Sequence, residues 1–144
     1  MIVKKMPILQ GFPDFETVKK LSNSVSFDCG NAPVFYDIET TGLSRYSTFL
    51  YLIGALTHEN NTWFLYQWMA ENHEEEKELL NIFSDFLKNA SSTIQYNGTS
   101  FDQPYLEERY KMHNLPSPFA SLLSLDLYQK LKSCKDLLKL KKMK

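Results

Sequence analysis

Asp37 and Glu39 stand one residue apart in the stretch Val34-Phe35-Tyr36-Asp37-Ile38-Glu39-Thr40-Thr41. Residues so rich in β-branched and aromatic side chains, closed by Gly42, predict a buried strand and a turn. A strand's period of two puts both carboxylates on one face, where like charges repel. Held in a partly buried setting, such a pair either raises its pKa values or recruits a cation, and hard oxygen donors suit magnesium or manganese. Acid-x-acid triplets are common on solvated surfaces, but the apolar neighbours here favour a metal site. A third acid, Asp102, closes Asn97-Gly98-Thr99-Ser100-Phe101-Asp102, a polar turn that leaves a short strand and opens a helix. By itself Asp102 reads as ordinary compensation of a helix dipole. Beside Asp37 and Glu39 it becomes a third carboxylate at a neighbouring strand end, and ligands of α/β sheets gather at the carboxyl ends of strands.

The elements that must position these acids follow from periodicity. After the strand over 34–41, the apolar run 49–57 and the segment 63–69, separated by the turn signal Glu59-Asn60-Asn61, predict two more strands. Their short connections make the three antiparallel neighbours. Asn72 with Glu75 three residues on resembles a capping box, and Glu74, Glu75 and Glu76 suit the positive end of a helix. Apolar residues then recur at Leu79, Leu80, Ile82, Phe83, Phe86, Leu87 and Ala90, predicting an amphipathic helix that ends near Asn89. A brief strand over 93–96 and a helix over 101–112, with Pro104 in its first turn, come next. A fifth strand is expected over 122–127, running into a Lys-rich end with helical spacing at Leu131, Leu137, Leu138 and Met143. The order gives an α/β fold, a mixed five-stranded sheet whose last two strands run parallel to the first, flanked by helices. Residues 1–32, punctuated by Gly11, Pro13 and Gly30, read as an amino-terminal arm, and 33–144 as one domain.

Composition bounds the reading. The chain has 144 residues, 43% hydrophobic, enough for one core and little more. A net charge of −1 argues against nucleic-acid binding through bulk positive charge, so any such binding is local or carried by metal ions. Cys29 and Cys134 have no paired spacing and read as bland thiols in a reducing compartment. Polar residues and prolines interrupt the amino terminus where a signal peptide would need an apolar stretch, and no run approaches the roughly 20 apolar residues of a membrane helix, so a cytoplasmic protein is expected. The lysines from Lys130 to Lys144 read as a solvated helix face before a phosphate-binding one. Trp63, Tyr66 and Trp68 read as core before base-stacking platforms.

The two acid-bearing segments also resemble a known family. Phe35-Tyr36-Asp37-Ile38-Glu39-Thr40-Thr41-Gly42-Leu43 is similar to the first motif of the DEDD group of ribonuclease H-like 3′-to-5′ exonucleases, and Gln95 to Leu106 is similar to the second. Tyr110, His113 and Leu125-Asp126-Leu127 extend the resemblance to the bacterial YprB-like branch, over roughly residues 34–138. The resemblance implies a ribonuclease H-like fold and phosphodiester hydrolysis at a single-stranded 3′ end of DNA or RNA, using two magnesium or manganese ions. Asp37 would bind both ions, and Glu39 and Asp102 would each complete one coordination shell. Thr40, Thr41, Gly42 and Leu43 would hold the terminal nucleotide, with Leu43 on its base, while Asn97 and Phe101 would shape the same pocket. The family's fourth acid, preceded by a His or Tyr acting as general base, belongs to a later helix. Neither Asp126, on the expected fifth strand, nor Asp136, in the Lys-rich run, has that setting. The expectation is therefore an exonuclease core lacking its last helix; the alternative is a non-catalytic nucleic-acid-binding module that keeps the fold.

Overall fold

The computed structural model describes residues 1–21 and 32–133. Cys29, Cys134 and the lysines from Lys135 onward lie outside the described residues, as does the expectation of a missing last helix.

Six strands form one mixed sheet in the order β1-β4-β3-β2-β5-β6. They are β1 (Ile2–Ile8), β2 (Ala32–Thr40), β3 (Leu50–Glu59), β4 (Thr62–Met69), β5 (Ala90–Gln95) and β6 (Leu123–Asp126). The helices are α1 (Phe15–Leu21), α2 (Glu76–Leu87), α3 (Asp102–Met112) and α4 (Leu127–Ser133). β2, β3 and β4 are antiparallel neighbours, and β5 and β6 run parallel to β2. The mixed sheet expected from the sequence is thus present, with one strand more than the five counted. The extra strand comes from the segment read as an arm: β1 pairs antiparallel with β4 from Ile2↔Met69 to Ile8↔Trp63.

Strand alternation sorts β2 between two faces. Val34, Tyr36 and Ile38 enter the main core with Ile53, Ala55, Leu79, Leu80 and Phe83. The α2 residues reach that core because Leu79, Leu80, Phe83 and Leu87 share one helical stripe. Each fully buried large apolar side chain there stabilises the fold by roughly 1.5–3 kcal/mol. Trp63 and Trp68 are buried, as the core reading expected. The run before α2 departs from a simple capping box. Asn72 accepts from the Glu74 amide, a 3-10 turn occupies His73–Glu75, and the Glu75 carboxylate takes the Glu71 amide instead of turning back to Asn72.

The other sheet face carries Phe35 and a second, smaller core of Val18, Trp63, Ile94 and Leu125. Here the amino-terminal segment acts as a cover. Asp14 accepts from the Thr17 amide at 2.8 Å and starts α1, and the Phe12 ring packs on Phe35 and Trp63 at 5.5 and 4.8 Å. The cover stops short of the carboxyl end of β2, leaving an open groove of about 570 Å³ whose lining includes Asp37, Glu39, Leu52, Gly54 and Gln67.

Candidate active site

Asp37 and Glu39 lie on β2 between the antiparallel and parallel halves of the sheet, opposite Gly54 and Leu52 of β3. Both are exposed, on the face away from the main core, as the period of two requires. The register shifts between Glu39 and Thr40, so the chain leaves the ladder immediately after the second acid.

Asp102 is the first residue of α3 and is 7% exposed. Its carboxyl lies within hydrogen-bonding reach of Asp37 and in the field of Glu39. Burial, then Asp37, then Glu39 push its pKa from 3.8 up to about 7. One carboxyl oxygen, Oδ2, is buried with no hydrogen-bond partner. The structure thus brings Asp102 against Asp37 and leaves Glu39 acting through its charge. Among the described residues no group of three Asp, Glu, His or Cys side chains is arranged to hold a metal ion as it stands. The chemistry of the donors nevertheless fits a divalent cation: hard oxygens, crowded like charges and an unpartnered buried oxygen are what such an ion relieves.

The turn that delivers Asp102 is held by another acid. Asp126, at the end of β6, accepts from the Asn97 amide at 2.8 Å, the Thr99 amide at 3.1 Å, the Thr99 hydroxyl at 2.6 Å and the Tyr128 amide at 3.0 Å. These bonds outweigh burial and lower its pKa. Asn97 takes a positive φ of 59°, a conformation Asn tolerates better than most residues. Gly98 is required at its position, because a Cβ there would meet Gln95 Cγ at 2.1 Å and Cβ at 2.9 Å.

The residues expected to hold a nucleotide divide by role. Thr40 donates its hydroxyl to the Gly42 carbonyl at 2.7 Å, and the Thr41 hydroxyl accepts from the Phe49 amide at 3.1 Å, so both fasten the turn. Leu43 is 88% exposed and lines a pocket of about 300 Å³ with Phe101, whose ring lies 5.4 Å from that of Tyr105. Asn97 is tied into the turn and does not line that pocket.

Sequence reasoning passed over several residues around this pocket. Arg45, Tyr46 and Tyr105 complete its wall. Behind it, Glu76 at the head of α2 is 1% exposed and is bound by Arg109 and His113 of the α3 end and by the Leu50 amide. Arg109 also donates to the Arg45 carbonyl at 3.3 Å. An aromatic and a cation side by side in the loop after the first acid pair was the available signal. For Glu76 and Arg109 there was none, since charged residues on helices read as solvated.

Comparison with known proteins places this geometry in context. The model of the RNase H superfamily matches residues 34–143. Among solved structures, Exonuclease I without ligand superposes with a TM-score of 0.63 at 12% identity, covering 77% of this chain and 32% of that one. E. coli Exonuclease I in complex with a dT13 oligonucleotide gives 0.62 at 12% identity, covering 77% and 31%. The family B DNA polymerase of the hyperthermophilic archaeon Pyrobaculum calidifontis gives 0.59 at 20% identity, covering 74% and 17%. The chain therefore spans about a third or less of each of these solved chains, and the likeness concerns the fold. No curated protein sequence matches the chain.

Proposed function

Because this chain belongs to the RNase H superfamily, we propose that it is the core of a divalent-metal-dependent 3′-to-5′ exonuclease acting on single-stranded nucleic-acid ends. The observation that carries this reading is Asp102: a carboxyl buried against Asp37, in the field of Glu39, with one oxygen unpartnered. A fold that holds three acids this way destabilises itself unless a cation or a proton enters.

Asp37, Glu39 and Asp102 would hold magnesium or manganese, with Asp37 central to the set. When bound, two such ions supply an activated water and charge stabilisation for the leaving oxygen. The protein's own part is placement. β2 fixes Asp37 and Glu39 at one strand end, the Asp126-braced turn fixes Asp102 beside them, and Leu43 and Phe101 offer apolar surface to a terminal base. Below about pH 7 the Asp102 carboxyl retains a proton in the ion-free chain, so ion binding releases that proton and strengthens as the pH rises.

The test is degradation of a 5′-labelled single-stranded oligonucleotide in magnesium or manganese. Shortening from the 3′ end that disappears in Asp37→Ala supports the reading. Calorimetry with manganese is the second measurement, and heat of binding that survives in Asp102→Ala sinks it. A non-catalytic nucleic-acid-binding module is the second reading, favoured by the absence of a closed three-donor metal group among the described residues. Equal oligonucleotide binding in manganese and in chelator, without cleavage, selects it.

A further inference from the structure

We propose that Arg45 and Tyr46 form a nucleic-acid contact adjoining the Leu43–Phe101 pocket, Tyr46 stacking a base and Arg45 binding a backbone phosphate. The inference rests on the functional reading above and adds residues that it does not use.

The loop from Gly42 to Thr48 is fastened from within. Thr40 binds the Gly42 carbonyl, the Thr48 amide donates to the Ser44 carbonyl at 3.1 Å, and the Tyr105 hydroxyl meets the Thr48 hydroxyl at 2.9 Å. From outside the loop Arg109, itself held by buried Glu76, donates to the Arg45 carbonyl at 3.3 Å. A loop held by these bonds presents Leu43 at 88% and Tyr46 at 60% exposure. With the loop backbone held, these exposed side chains beside an apolar pocket offer a binding surface with less ordering to do on contact.

Its chemistry suits a single strand. The Arg45 guanidinium lies over the Tyr46 ring, 5.3 Å from its centroid, so cation and π-face are presented together. Both line the pocket that Leu43 and Phe101 share, and Phe101 directly precedes Asp102. A strand whose terminal base enters that pocket passes the acids, which repel its phosphates, and Arg45 supplies local positive charge on a chain of net charge −1. Ring stacking tolerates any base, so the contact grips without selecting sequence.

The experiment is fluorescence anisotropy of the full chain with a labelled oligothymidylate carrying hydrolysis-resistant phosphorothioate linkages, in magnesium, across a salt series. Tyr46→Ala is expected to weaken binding about tenfold, in line with stacking of one base. Arg45→Ala is expected to weaken it several-fold and to reduce the slope of log affinity against log salt by about 0.7, the loss of one phosphate contact on a single strand. Tyr46→Phe and Arg45→Lys keep ring and charge and retain most of the binding; equal loss in these variants overturns the contact. Lys88→Ala, remote on the end of α2, controls for net charge and binds as wild type. If wild type binds and the two alanine variants bind equally well, this contact falls while the functional reading stands. If wild type binds no oligonucleotide, both fall.

Discussion

Arg109 reaches from α3 to Glu76 at the start of α2 and donates through Nε at 2.9 Å to Oε1 and 3.1 Å to Oε2, a side-on pairing inside the protein. The Leu50 amide and His113 bind the same carboxylate, so one buried acid joins two helices and the start of β3.

Removing Arg109 leaves the buried Glu76 carboxylate with only the Leu50 amide and His113, and removing the Glu76 charge leaves the Arg109 guanidinium with the Arg45 carbonyl and no counter-ion. Arg109→Met and Glu76→Gln are each expected to lower stability by about 3 kcal/mol, at the low end for breaking a buried pair. The double variant should lose clearly less than the sum. Urea unfolding of the four proteins measures the coupling, and strict additivity would show that the pair does not act as a unit.

Asp102 makes stability depend on pH in a predictable direction. Its folded pKa of about 7 lies above the ordinary 3.8, so the folded chain binds the extra proton between those values. Its adverse contribution is absent below about pH 4, grows through that window and is complete above pH 7. Asp102→Asn should therefore flatten the decline between pH 5 and pH 8 and stabilise the ion-free protein at pH 8 by on the order of 1–2 kcal/mol, after allowance for solvent screening. Thermal melting in chelator at both pH values tests this; a variant less stable than wild type at pH 8 contradicts it.

Asp126 satisfies four donors around the turn at Asn97 and Thr99. Asp126→Ala should cost about 3 kcal/mol, because amides left without partners carry a desolvation penalty. Manganese affinity should also fall, since the turn positions Asp102. An unchanged manganese titration in a folded variant would separate the turn from the acids.

Gly98→Ala tests the same turn through sterics. The added methyl collides with Gln95 near its backbone, not at a flexible tip. A loss of about 2 kcal/mol is expected, in the range for overpacking. Retention of wild-type melting would mean that the turn relaxes freely.

Much of this architecture is legible in the sequence where one face is wet and the other dry. The alternation of Val34, Tyr36 and Ile38 with Asp37 and Glu39 gives both the strand and the shared face of the acids, and the stripe from Leu79 to Leu87 gives α2. β1 escaped because its burial runs exposed at all positions but Ile8, leaving no alternation to read; backbone pairing with β4 makes it a strand. The pairing of Glu76 with Arg109 escaped because residues 33 apart in sequence carry no mark of their meeting. Tyr46 was passed over for a related reason: its meaning lies in a loop held fixed by contacts from α3. Asp126, which on the expected fifth strand lacks the setting of the family's fourth acid, braces the turn at Asn97 and Thr99 instead.

β2 has hydrogen-bonded neighbours on both sides, β3 and β5. The pairing with β5 runs only to Phe35, so the stretch that carries Asp37 and Glu39 is paired with β3 alone. Asp37 and Glu39 therefore sit where an interior strand keeps one partner, and their amides should exchange with solvent sooner than those of Val34 and Phe35. Substituting these two exposed acids leaves the ladder beneath them in place, so the shape of the scaffold and the chemistry proposed for it can be tested apart.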